Sequence, residues 1–163
     1  MGLDITAVGN ATRIIGVDDA SLVGEDDNRC VLVGGNQFHQ RMDGLEHGLY
    51  RIGGAEMYFR AGSYSTYNEF RSWLARASSG GPPSAYWTPQ AEKDGTLPFL
   101  HLINFSDCEG SIGPRTCAGL AREFVSLRDK VRQSYESVLW ISLYDLFGKA
   151  FAIGACDGWV LFH

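Results

Sequence analysis

The chain has 163 residues, 45% of them hydrophobic and 20% charged, with a formal net charge of −5. That length and balance suit one ordinary domain burying about two-thirds of its unfolded surface, and they exclude a low-complexity or disordered chain. The acidic balance also excludes nonspecific nucleic-acid binding, which needs a surplus of cations against phosphate.

Lys93, Lys130 and Lys149 are the only lysines among the 14 basic residues. The others are arginines, whose planar forks suit carboxylates, phosphates or partner surfaces as well as solvent. Cys30, Cys108, Cys117 and Cys156 are scattered, with no Cys-x-x-Cys pair. The first residues carry neither the basic nor the apolar region of a secretion signal, so free thiols in a reducing cytoplasm are expected. Met1-Gly2 with Thr6 matches the outline of a myristoylation start, but an ordinary start followed by a small residue is the simpler reading.

In chain order, Leu3 to Ala7 and Thr12 to Val17 read as strands around a Gly9-Asn10-Ala11 turn. Residues 18–28 are polar and acidic, a solvated loop. Cys30 to Val33 is a β-branched strand stopped by Gly34-Gly35. His39 and His47 follow among polar residues, at a spacing that suits solvent better than metal. Tyr50 to Ile52 and Glu56 to Arg60 read as a hairpin across Gly53-Gly54-Ala55. Tyr67, Phe70, Trp73, Leu74 and Ala77 recur at helical spacing, with Thr66 and Glu69 as a capping box. Residues 78–95 form a loop by composition, offering Tyr86 and Trp87 as lid or partner-facing groups.

Pro98 to Ile103 reads as an apolar strand that turns polar at Asn104 and ends in Gly113-Pro114. Pro114 suits the first helical position, where its missing N–H costs nothing. Cys117, Ala121, Phe124, Leu127 and Val131 then mark the apolar face of a helix of about five turns. Ser134 caps a further helix through Ala155, apolar nearly all round. Ser142, Asp145 and Lys149 interrupt its apolar surface, and an Asp145–Lys149 pair supports a core helix rather than a membrane span. Asp157-Gly158 ends that helix, and Trp159 to Phe162 is a final strand inside the sheet. The fold expected is α+β: one domain with a mostly antiparallel sheet on two long C-terminal helices and one shorter helix.

Two loops gather reactive groups. Ser63, Tyr64, Ser65, Tyr67 and Asn68 approach a helix start, where free N–H groups can hold an anion. Asn104, Ser106, Asp107 and Glu109 form the second, whose carboxylates and neighbouring oxygens match what a divalent cation requires. If the Pro98–Ile103 strand is regular, His101 and Asn104 face opposite sides. A nucleophile reading takes Ser106 or Cys108 with His101 or His163 as base, but no nucleophile elbow surrounds either. Against these stands a structural account: acids ahead of a helix N-terminus are favourable, and Asn and Ser form turns.

Four phrases carry a resemblance: Met-Gly-Leu-Asp-Ile-Thr-Ala at the start, Phe-Arg-Ala-Gly-Ser-Tyr-Ser-Thr-Tyr-Asn, Asn-Phe-Ser-Asp-Cys-Glu-Gly-Ser-Ile-Gly-Pro, and the final Phe-His. Across nearly its whole length the chain resembles a family of uncharacterised proteins encoded by bacteriophages and prophages. The resemblance implies a small protein of the bacterial host cytoplasm and transfers no catalytic residues. The expectation is a non-catalytic binding protein that sequesters or inhibits a host defence factor through residues 63–68 and 104–113. Its partner is a host protein or a small nucleotide-type ligand, with no membrane association. The alternatives are a small metal-assisted hydrolase or phosphoesterase using Asp107 and Glu109, and a structural virion component.

Overall fold

Alternation in the first residues sets the frame of the sheet. In the computed structural model, which describes residues 2–14, 29–34, 38–106 and 108–163, Leu3, Ile5 and Ala7 are fully buried while Asp4 and Thr6 face the other way. A strand's two-residue period produces that division. The elements run β1 (Gly2–Val8), β2 (Ala11–Arg13), β3 (Cys30–Val33), β4 (Gly48–Ile52), β5 (Glu56–Ser63), α1 (Tyr64–Ser79), α2 (Pro89–Asp94), α3 (Leu100–Ile103), β6 (Gly110–Ile112), α4 (Pro114–Ser126), α5 (Arg128–Gln133), α6 (Val138–Gly154) and β7 (Trp159–Phe162). Short 3-10 turns lie at His39–Arg41 and Pro83–Trp87.

Two antiparallel sheets result. A four-stranded sheet has the order β5-β1-β7-β6, and a three-stranded one has the order β2-β4-β3. The helices cover one face of the larger sheet, so the architecture is α+β. Its core is aromatic: Phe147 of α6 lies against Phe59 of β5, Tyr67 and Phe70 of α1, and Phe162 of β7. Part of the opposite face meets the smaller sheet, where Val8 and Trp159 pack with Tyr50, Ile52, Val33, Met42 and Leu45. Gly158 makes that junction close, because a Cβ there would lie 1.8 Å from the Val8 carbonyl oxygen.

Several expectations hold. Cys30–Val33 is a strand, α4 starts at Pro114 behind Gly113, and β7 lies between β1 and β6. Others fail for identifiable reasons. The expected pairing of β1 with the next strand does not form, because β2 joins β4 in the smaller sheet. The 50–52 and 56–60 strands are likewise not a hairpin. Gly53 and Gly54 donate to the carbonyls of Asn10 and Gly9, and this carries the chain from one sheet to the other.

The cap of α1 is Ser63, not Thr66, since its hydroxyl accepts from Thr66 N at 3.1 Å. α1 thus has 16 residues and exceeds α4, which has 13. Residues 78–95 hold the 3-10 turn and α2, the latter capped by Thr88 with Pro89 in its first turn. Tyr86 is wholly buried and only Trp87 is exposed. Pro98 to Ile103 is not a strand: Phe99 adopts φ 57° and α3 follows. The five-turn helix is interrupted at Leu127, and Ser137 rather than Ser134 caps α6. Asp145 pairs with Arg132 at 2.7 and 2.9 Å instead of Lys149. Among the described residues, no helix is long and apolar enough to cross a membrane. Expectations for residues 15–28, including the rest of the second strand, and for Asp107 lie outside the described residues, as does the side chain of His39.

Candidate functional site

Replacing the expected strand by α3 reverses the expected relation of His101 to Asn104. Residues three apart in a helix share a face, so both turn toward α2. There the Asn104 amide donates to Glu92 Oε1 at 2.5 Å. Arg41, fully buried at the end of its 3-10 turn, grips the same carboxylate with both terminal nitrogens, one of them at 2.9 Å, and donates to the Asn104 carbonyl at 3.1 Å. Its guanidinium carbon sits 5.7 Å from the Phe38 ring centroid. The Arg41 hydrogen bond holds the Glu92 carboxyl below the usual carboxylate range, with the Arg41 charge and Asn104 adding to the effect against the cost of burial. His101 is pushed below its ordinary value by burial and by the Arg41 charge, and its Nδ1 has no hydrogen-bond partner.

A second buried arginine approaches from the other side. Arg71 of α1 donates to the carbonyls of Ile103 at 3.1 Å and Phe105 at 2.6 Å, and also to the Asn68 side chain. Its guanidinium lies 4.8 Å from the Tyr67 ring centroid, a cation–π contact away from water. The start of α1 and residues 103–105 are therefore tied by one side chain. Each carbonyl bonded to a charged donor adds a contact stronger than a neutral one.

Ser63 and Ser65 are exposed, with their hydroxyls 2.8 Å apart, and Tyr64 and Asn68 are half-buried. Tyr67 is 0% exposed, which leaves its ring no free face for stacking a ligand. Ser106 is buried and its hydroxyl accepts from the N–H groups of Cys108 and Glu109 at 3.2 and 3.0 Å, so it builds the turn. Cys108 and Glu109 are exposed on that turn. Asn104 is spent on Glu92 and Arg41. Among the described residues, the Ser106 hydroxyl meets the Cys108 and Glu109 N–H groups and the His163 ring meets the Thr6 hydroxyl. Among the described residues no three His, Cys, Asp or Glu groups are grouped to hold a metal ion.

Both segments lie at the same end of the larger sheet. Ser63 pairs with Gly2, Gly110 pairs with Phe162, and the Phe162 ring contacts Tyr67 at 6.2 Å and Phe105 at 4.9 Å. Between them His163 pairs with Asp4 across β1, and its Nε2 lies 3.0 Å from the Thr6 hydroxyl. Tyr58 reaches across to Asp4, and that hydrogen bond pushes the phenol pKa upward. A depression of about 350 Å³ opens beside Asn68, lined by Glu69, Ser72, Arg76, Glu136 and Trp140.

Sequence reading missed Arg41, Glu92 and Arg71. Arg71 follows Asn68 by three residues, the one local hint of its role. Nothing near Arg41 points to a partner 51 residues away. No family model, no curated protein and no solved structure matches this chain.

Proposed function

We propose that this chain is a non-catalytic binding protein, of the phage or prophage type its phrases resemble, that engages a bacterial host protein. Its recognition surface comprises the exposed groups of residues 63–68 and of Cys108 and Glu109, with His163 between them. The observation that carries this reading is the Arg71 bridge, which holds Asn68 and the carbonyls of Ile103 and Phe105 in one unit. Preorganised surfaces of this kind bind with less ordering cost. The shallow polar depression beside Asn68 suits a protein side chain better than an enclosed small molecule.

The test immobilises wild type, Ser65→Arg and Glu109→Arg in bacterial lysate. A host protein is expected on wild type and lost from both variants. In parallel, wild type is incubated with a nucleotide and phosphoester panel plus divalent cations and is expected to give no product. Metal-dependent turnover that disappears in Asp107→Ala would instead establish the hydrolase. A host protein retained equally by both variants would place binding elsewhere on the molecule.

A further inference from the structure

β5 is an outer strand. Among the described residues it pairs with β1 alone in the order β5-β1-β7-β6. An unpaired edge presents N–H and C=O groups that another strand can complete, and proteins commonly blunt it with proline or a bulge. Glu56 to Arg60 contains no proline and keeps regular register opposite Val8 to Asp4. The register shift falls only beyond Arg60.

The side chains of this run are symmetric in character about Tyr58. Glu56, Tyr58 and Arg60 stand on the open face of the sheet, and Tyr58 is 63% exposed. Met57 and Phe59 alternate with them toward the helices. Antiparallel pairing of two copies centred on Tyr58 sets Glu56 against Arg60 of the second copy, and Arg60 against its Glu56. The two tyrosines then face each other, and Met57 meets Phe59 on the apolar side. Opposite charges and aromatic pairs directly across strands are the favourable combinations. A centre moved to Phe59 would instead set Tyr58 against Arg60 and Glu56 against Gly62, leaving both charges unmatched.

The existing partners permit this arrangement. Arg29 holds Glu56 through Oε1 at 2.7 Å and leaves Oε2 open, while Arg60 stands 4.0 Å from Asp4, at the outer limit of an ion pair. We propose that β5 is a self-association edge, through which two copies of this chain join by antiparallel pairing about Tyr58 into one continuous sheet. Such an interface is isologous and closes at the dimer. The paired run is Glu56 to Arg60, whereas the proposed host-binding surface begins at Ser63, so the dimer and that surface can fail independently.

Sedimentation velocity over a concentration series of the full chain tests it, with circular dichroism confirming that each variant folds. Wild type is expected to pass from monomer to dimer. Glu56→Arg and Arg60→Glu, which each set like charges together twice, are expected to weaken association by at least about tenfold. Combining the two substitutions restores opposite charges in the swapped sense and is expected to regain wild-type association. A wild type that stays monomeric into the millimolar range, a dimer indifferent to the single reversals, or a double variant that fails to recover would each overturn the proposal.

Discussion

Phe147→Ala is expected to cost about 4 kcal/mol of folding stability, the range for emptying a large aromatic site in a core. The ring is 0% exposed and touches aromatic neighbours from both the helices and the larger sheet: Phe59 at 5.1 Å, Phe70 at 5.4 Å, Tyr67 at 5.8 Å, Phe151 at 6.1 Å and Phe162 at 6.2 Å between centroids. These neighbours come from α1, β5, β7 and α6 itself, so no single shift of one element can close the cavity. For a chain of this size the loss corresponds to a Tm fall of roughly 8 to 16 °C. Thermal or urea unfolding reads it directly. Val138→Ala serves as a control, because Val138 is 68% exposed and its truncation is expected to stay within about 0.5 kcal/mol. Equal losses in the two variants would contradict the packing described here.

The second large effect lies at the Arg41 clamp. Glu92→Ala leaves a fully buried guanidinium without its carboxylate, which costs about 3 kcal/mol, near the low end for buried pairs because Glu92 keeps 29% of its side chain exposed. A Tm fall of roughly 6 to 12 °C follows. Arg41→Met combined with Glu92→Leu removes both charges and is expected to recover most of the loss. The pH dependence has a definite sign. Glu92 ionises more readily folded than unfolded, so its contribution is present at neutral pH and is lost as acid carries the pH down through its depressed folded value. His101, also pushed down, adds a loss that begins as pH falls below its ordinary 6.5. Glu123, pushed up by burial, works in the opposite sense. Glu92→Ala is therefore expected to flatten the decline below the usual carboxylate range, and an unchanged acid limb would contradict the assignment.

How far the sequence foretold this molecule depended on whether each signal was local. β1 and β7 were legible because alternation and a β-branched or aromatic run need no distant partner. The apolar faces of α1 and α4 were legible from helical spacing, and Gly113-Pro114 marked a start that the structure keeps. Leu100 to Ile103 was misread because three apolar residues around one histidine are too short a run to carry a usable period. Phe99 in the left-handed region, its N–H bonded to Glu123 at 2.8 Å, decides for a helical turn there, and that contact spans 24 residues. Gly53-Gly54 suggested a hairpin locally, yet the carbonyls of Gly9 and Asn10 direct the chain elsewhere.

The candidate site shows the same division. The start of α1 and the 104–109 turn were visible as clusters of hydroxyls and acids. Which members face solvent was not, because Tyr67 is turned inward by ring contacts remote in sequence and Ser106 is buried in building its own turn. Arg41 was invisible as a clamp, and Arg71 showed only its Asn68 partner, since an arginine's distant partners are fixed only when the fold brings them near.

The claim on which the rest depends is that the start of α1 and residues 103–105 form one unit held by Arg71. Amide hydrogen exchange on wild type and Arg71→Met measures it without any partner. Amides in residues 64–68 and 103–105 are expected to lose protection together, while those of β1 and β7 keep theirs. Faster exchange in α1 alone, with residues 103–105 unchanged, would contradict it.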